Sequence, residues 1–148
     1  MAEQLGNLGY KVALWDLAPG MSTLERVILS EMQEVCTPIM LEDFSLDGIE
    51  IFSSALDKIL RDYRADNPRH DRIVANGYNR SIGRHDAYLE LFQGLNGYEL
   101  YVFGQDQAIP EAQSEHKPIL DATRKLKPEN LEELDRLARN LTGGIYGE

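Results

Sequence analysis

The sequence predicts a doubly wound α/β fold, in which helices cover both faces of a mostly parallel sheet. Segments with helical spacing of apolar residues alternate with short apolar runs typical of buried strands. No linker, repeat or low-complexity segment interrupts this alternation. A chain of 148 residues is about one domain in length, so we expect a single domain over residues 1–148.

Composition narrows the function classes. The net charge of −10 opposes nucleic-acid binding unless a local basic patch overrides it. A single cysteine, Cys36, excludes an internal disulfide framework and a multi-cysteine metal site. We expect a cytoplasmic protein without membrane contact, because the sequence contains no signal peptide and no apolar run of about 18 residues.

The first third of the sequence predicts two helices and two strands. "AEQLGNLGY" is typical of a helix tail and a turn, and "KVALWDLA" (residues 11–18) predicts a strand bounded by Pro19 and Gly20. A helix then begins with a capping box, Ser22 and Glu25. Its apolar face is Leu24, Val27, Ile28 and Met32. "EVCTPIM" predicts a short strand that ends near Pro38.

The middle of the sequence carries the strongest helix signal. "SLDGIEIFSSALDKILRDY" can be capped by Ser45, and its apolar residues recur at helical spacing: Ile49, Phe52, Leu56, Ile59, Leu60 and Tyr63. A polar loop, "RADNPRHD", leads to the predicted strand "RIVANGY", which ends with Asn76 and Gly77.

The last third predicts three helices and one strand. "HDAYLELFQGL" reads as a helix, "YELYVFGQ" as a strand, and "IPEAQSEHKPIL" as a strand end that turns into a short helix. "KPENLEELDRLARNL" predicts the final helix, with Pro128 near its first turn. Its predicted buried face consists of Leu131, Leu134, Leu137, Ala138 and Leu141.

Two polar residues follow predicted strands, where open α/β sheets bind ligands. Asp16 is a candidate carboxylate for magnesium or for positioning water, and a turn or capping aspartate is an equally good interpretation. Asn76 could contact a base edge with its amide. Taken alone, its Asn-Gly pair is more typical of a turn.

Other motifs favour ordinary interpretations. Arginines and lysines make residues 58–84 locally basic, which indicates either a nucleic-acid patch or, more usually, a solvated surface. The three histidines match no metal-binding spacing. The sequence contains no G-x-x-x-x-G-K-[ST] phosphate-binding loop.

Four segments in order resemble the ParA/MinD-type partition ATPases, P-loop proteins that segregate chromosomes and plasmids. "LWDLAPGMSTLERVIL" resembles the strand-end acid and Pro-containing switch turn, and "EVCTPIMLEDFSLDGIEIF" the next strand and helix start. "RIVANGYNRSIGRHDAYLELF" resembles the strand whose asparagine contacts adenine, and "AIPEAQSEHKPIL" the signature that packs beside the base. The resemblance covers roughly residues 10–141.

The resemblance implies a P-loop NTPase-like fold, ATP and Mg²⁺ as ligands, an ATP-dependent homodimer, non-specific DNA binding and a ParB-like partner. Asp16 would hold the magnesium water shell, and Asn76, Pro110 and Glu111 would bind the nucleotide. Arg80 and Arg84 would be candidates for DNA contact.

The sequence departs from the family pattern at its front. The amino-terminal strand, the phosphate-binding loop and the two lysines of that loop have no counterpart. A second alignment of residues 2–17 would put Ala18 where the family has its water-positioning acid. We therefore expect a domain that is incomplete at its amino-terminal side and does not hydrolyse ATP at a family-like rate.

Two function classes remain open. The leading hypothesis is a ParA-like partition protein that is catalytically incomplete. The alternative is a non-enzymatic interaction module that binds a full-length homologue or a partition partner through an exposed edge or apolar face. A nucleotide-free DNA-binding protein is a weaker third possibility, because the net charge is −10.

Overall fold

A computed structural model describes residues 2–18 and 20–143 of the chain. These residues form two compact units. Unit 1 contains residues 2–36 and 46–71, apart from position 19, and unit 2 contains residues 37–45 and 72–143. The expectation of one domain over residues 1–148 stays a prediction.

Helices and strands alternate over residues 23–115, and two further helical segments follow. The helices are α1 (Ala2–Asn7), α2 (Thr23–Glu31), α3 (Ser45–Tyr63), α4 (Gly83–Gln93), α5 (Ala108–Glu115) and α6 (Pro128–Thr142). A short 3-10 helix covers Ile119–Asp121. The strands are β1 (Glu34–Met40), β2 (Arg69–Tyr78) and β3 (Glu99–Gly104). The α/β class is therefore confirmed.

One predicted element is wrong. Residues 11–18, predicted as a strand, contain neither helix nor strand, and Asp16 is an exposed residue that ends no strand. Leu14 and Trp15 are 79% and 40% exposed. A strand is stable only when another strand pairs with it, and the β-propensity of Val, Leu and Trp supplies no partner.

Unit 1 is held by an apolar cluster. Leu29 of α2 packs against Leu56 and Ile59 of α3. Four partly buried side chains surround them: Leu17, Val35, Phe52 and Leu60. The predicted capping residue Ser22 is the N-cap of α2, and its hydroxyl donates to the Glu25 carboxylate. The periodicity of α3 is thus confirmed as a core-facing stripe.

The described chain contains a parallel sheet with the strand order β1-β2-β3, and β3 together with the residues of β1 from Thr37 and of β2 from Arg72 belongs to unit 2. β2 and β3 pair in parallel, with Arg72 opposite Glu99 and Asn76 opposite Phe103. The ladder is irregular between Asn76 and Tyr78, around Gly77. Gly77 has a φ of +75°, and a Cβ there would lie 3.0 Å from Cε of Met40, so this position requires glycine.

The strand order is sequential over the described strands. A doubly wound sheet requires a point where the strand order reverses, and no such reversal occurs among β1, β2 and β3. Within residues 2–18 and 20–143, none of the helices combines the length and apolar character needed to cross a membrane.

The predicted buried face of α6 needs correction. Leu131 is 47% exposed and Ala138 is exposed, whereas Asn130 is fully buried. Leu134, Leu137 and Leu141 are half-buried, as the spacing predicted. The helix is rotated away from the leucine stripe because α6 packs on β3, where its polar side chains bind the strand backbone.

Candidate functional site

A cleft of about 780 Å³ lies in unit 2 at the carboxyl ends of β2 and β3. This edge is where open parallel sheets bind ligands, and the volume suits a small organic molecule. The lining comes from the loops after the two strands and from the start of α6: Tyr78, Asn79, Arg80, Val102, Gly104, Gln105, Asp106, Gln107, Arg124, Lys125, Lys127, Glu129 and Asn130.

Hydrogen bonds fix the loop after β2. The backbone N–H of Asn79 donates to Nδ1 of His85 at 3.1 Å. The Asn79 side chain donates to Oε1 of Gln105 at 3.0 Å and accepts the N–H of Ser81 at 2.9 Å. Asn79 therefore ties the β2 loop to the β3 loop, and both of its amide atoms are occupied.

Asp106 organises the loop after β3. Its carboxylate accepts the N–H of Ala108 at 3.0 Å, the N–H of Lys127 at 2.8 Å and the side-chain amide of Asn130 at 3.0 Å. Burial alone would raise the pKa of Asp106, but these hydrogen bonds and the Lys127 charge lower it overall. The carboxylate is thus held in its charged form at neutral pH.

The cations of the cleft differ in their partners. Lys127 Nζ donates to the Gln105 carbonyl at 2.7 Å, and Lys125 Nζ donates to two backbone carbonyls at 3.2 Å each. Arg124 lies 3.4 Å from the Glu111 carboxylate. Arg80 is exposed and forms no hydrogen bond or ion pair with the described part of the chain. Its guanidinium is available to an anionic ligand.

The structure brings one sequence-predicted residue, Arg80, into the cleft. Asn76 lies half-buried within β2 and is not among the lining residues. Pro110 is exposed in α5, and Glu111 reaches the cleft only through Arg124. Arg84 is exposed in the first turn of α4.

Asp16 belongs to unit 1, whereas the cleft belongs to unit 2. In the described ranges, no group of three or more histidine, cysteine, aspartate or glutamate side chains could hold a metal ion. The expectation that Asp16 holds the water shell of a magnesium ion stays a prediction.

Sequence reasoning missed Asn79, Asp106, Lys127 and Asn130. A signal existed for Asp106, which lies two residues before a helix start, a position where aspartate accepts helix N–H groups. Asn76 and Asn79 lie in the same segment of sequence, on either side of Gly77, which has a positive φ. The chain changes direction there, and Asn79 rather than Asn76 lines the cleft.

Comparisons place few constraints on the chain. No family model matches it, and no solved structure does. It is similar to the "Uncharacterized protein BBD21" of Borreliella burgdorferi, with 40% identity over 118 residues. The match covers 80% of this chain and 47% of the relative, so the chain spans about half the length of the curated relative it matches.

Proposed function

We propose that this chain is a ParA-like partition protein that binds an adenine nucleotide in the cleft of unit 2 and does not hydrolyse it efficiently. The observation that carries the proposal is the position of the cleft at the carboxyl ends of two parallel strands, with the unpaired Arg80 at its wall. The four segments that resemble the partition ATPases support the same class of ligand.

The cleft offers complementary groups for the two ends of a nucleotide. The Gln107 side chain, with the second N–H of the Asn79 amide and the side-chain amide N–H groups of Gln105, supplies donors and acceptors for a base or ribose beyond the bonds within the cleft. Arg80 supplies a planar cation that suits phosphate oxygens. This placement favours nucleotide over DNA as the ligand of Arg80, and it leaves Arg84 as the candidate for DNA contact.

Slow turnover follows from what the sequence lacks. A phosphate-binding loop provides most of the backbone donors and the lysine that stabilise the transferred phosphoryl group, and this sequence contains no such loop. For residues 1–148 alone, we therefore expect nucleotide binding without efficient hydrolysis. A doubly wound sheet, a ParB-like partner, a homo-oligomeric state and a cytoplasmic location belong to the same proposal.

Calorimetric titration of ATP and ADP, each with Mg²⁺, into the purified chain tests the proposal. We expect micromolar binding that Arg80→Ala weakens about tenfold, roughly 1.4 kcal/mol. Arg61→Ala, which removes an exposed arginine of α3 in unit 1, is the matched control. Absence of binding at millimolar nucleotide would overturn the proposal.

Two asparagine variants locate the base. If the base occupies the cleft, Asn79→Ala weakens nucleotide binding and Asn76→Ala leaves it unchanged. The resemblance to the partition ATPases gives the opposite order, with Asn76 as the base contact. Equal loss in both variants would indicate damage to the β2 end as a whole, around the irregular ladder at Gly77.

A second function is favoured by one specific observation. Several large apolar side chains of residues 8–27 are exposed in unit 1: Leu8, Tyr10, Leu14, Trp15, Met21, Leu24 and Val27. Exposed apolar patches mark interaction sites, so a non-enzymatic interaction module is the alternative. Trp15 is the single tryptophan, and its emission should shift to the blue when a partner or a second copy covers it.

A further inference from the structure

β3 lies at the end of the described sheet, so one of its edges has no strand partner. Unpaired backbone N–H and C=O groups along such an edge are a template for pairing with a strand of another chain. In this protein the edge is occupied by side chains of α6, the helix that packs on β3.

Three residues of α6 bind this edge. The Glu133 carboxylate accepts the N–H of Val102 at 2.6 Å. The Asn130 side chain accepts the N–H of Gly104 at 2.8 Å and donates to its carbonyl at 3.1 Å. Arg136 Nη2 donates to the Leu100 carbonyl at 2.6 Å. We call Asn130, Glu133 and Arg136 the edge cap.

The contacted positions on β3 are Leu100, Val102 and Gly104. These alternate residues point their backbone groups in one direction, as the period of a strand requires. The bonds include both donors and acceptors of the strand. The edge cap thus imitates the hydrogen-bonding pattern that a neighbouring strand would offer.

The lengths of the three edge-cap side chains fit the different rise per residue of helix α6 and strand β3. α6 runs antiparallel to β3, because higher numbers on the helix meet lower numbers on the strand. Six helical residues cover about 9 Å, whereas four strand residues cover about 13 Å. The side chains lengthen from Asn130 to Glu133 to Arg136, and this increase compensates for the shorter rise of the helix.

Charge stabilises the cap. Arg136 donates to Glu133 at 2.8 Å and to Glu99 at 2.7 Å, and its guanidinium carbon lies 3.9 Å from the centre of the Tyr101 ring. Burial would raise the pKa of Glu133, but the Arg136 guanidinium and the Val102 N–H lower it overall. The hydrogen bond that Arg136 donates to Glu133 raises the pKa of Arg136. Both groups therefore stay charged at neutral pH.

We propose that the edge cap keeps β3 from pairing with a strand of a second copy of this chain. Helix α6 acts as a substitute strand that satisfies the exposed edge from within the molecule. Removing the cap residues while leaving the helix in place exposes backbone groups of Leu100 and Val102, and the copies then associate through this edge.

Two measurements on the double variant Glu133→Ala/Arg136→Ala test this. Residue-resolved amide exchange should show that the Val102 N–H loses protection at least tenfold. Sedimentation over a range of chain concentrations should show stronger self-association than in the unmodified chain. The matched control is Glu132→Ala/Arg139→Ala, which removes exposed charges of the same signs from the same helix.

The single variant Glu133→Gln keeps an acceptor oxygen and should retain the Val102 protection and the association behaviour of the unmodified chain. This variant distinguishes the effect of losing the cap hydrogen bonds from the effect of disrupting helix α6 by any substitution at position 133. If Val102 stays protected in the double variant, or if Val102 loses protection and association does not increase, the proposal is wrong. Neither readout requires nucleotide, so this test is independent of the proposed function.

Discussion

Both units bury apolar side chains, and among the described residues only unit 2 also buries polar or charged ones. Unit 1 is organised around an apolar cluster of Leu29, Leu56 and Ile59, and it leaves seven large apolar residues of the stretch 8–27 exposed. All three buried polar or charged side chains of the described chain, Arg72, His85 and Asn130, lie in unit 2. Each of these three has a hydrogen-bond partner within unit 2.

The difference shows two ways of specifying structure. The free energy gained by burying apolar side chains is roughly proportional to the buried area and does not depend on direction. The stability of unit 1 therefore depends mainly on how much apolar area its side chains bury. Hydrogen bonds demand distance and angle, so unit 2 fixes loops and an edge that apolar packing alone would leave free. The cleft lies in the unit with directional contacts.

The largest effect should come from the core of unit 1. Leu56→Ala removes a 3% exposed side chain from the apolar cluster, and we expect a loss of about 3 kcal/mol in unfolding free energy. Urea unfolding followed by circular dichroism measures it. Leu24→Ala, on the exposed side of α2, should change stability by less than about 0.5 kcal/mol. Equal effects would mean that the apolar cluster does not hold unit 1.

A polar residue of unit 2 should give the next effect. Asn130→Ala leaves the N–H and C=O of Gly104 without their side-chain partner, and we expect a loss of about 2 kcal/mol. The same urea experiment measures it, with the exposed Asn96→Ala as control. If Asn130→Ala lowers the unfolding free energy no more than the control does, water replaces the Asn130 amide at Gly104 without cost. Unit 2 would then depend less on directional hydrogen bonds than we infer.

The smallest expected effect is a pH dependence in unit 1. Burial lowers the pKa of His70 below its ordinary value of 6.5, although the charge of Asp71 opposes the shift. The unfolded chain therefore takes up the proton at higher pH than the folded chain does. The stability contributed by neutral His70 is complete above about pH 6.5 and is lost as the pH falls below it.

Urea midpoints at about pH 7.5 and about pH 5.5 check this expectation, because most carboxylates titrate below that window. The unmodified chain should lose more stability on acidification than His70→Gln, which keeps a polar side chain near Ser53 and does not titrate. A parallel decrease in both proteins would assign the pH dependence to other groups.

Local patterns predicted the helices well. Helix α3 covers Ser45–Tyr63, the segment that the sequence predicted, because the apolar residues of its predicted stripe face the core from Ile49 to Leu60, whereas Tyr63 at the end of the stripe is exposed. β2 begins at Arg69, three residues before the predicted start. Polar residues at the beginning of a strand do not show in the sequence where the strand starts, since the boundary is defined by pairing with a neighbouring strand.

Non-local contacts account for what the sequence did not predict. The run at 11–18 has the composition of a strand, yet strand formation depends on a partner elsewhere in the chain. Asn130 lies outside the predicted buried face of α6, and its side chain is buried where it binds Gly104, 26 positions away. The cleft likewise depends on two loops and a helix start that are distant in sequence.

The edge cap has a consequence for the order of protein synthesis. The ribosome synthesises β3 before α6, so there is an interval in which the nascent chain contains the strand and not yet the whole of the helix that caps it. At ordinary elongation rates this interval is on the order of seconds. The edge cap can act only after both β3 and α6 have left the ribosome, so α6 has to fold before β3 meets the same strand of a neighbouring nascent chain.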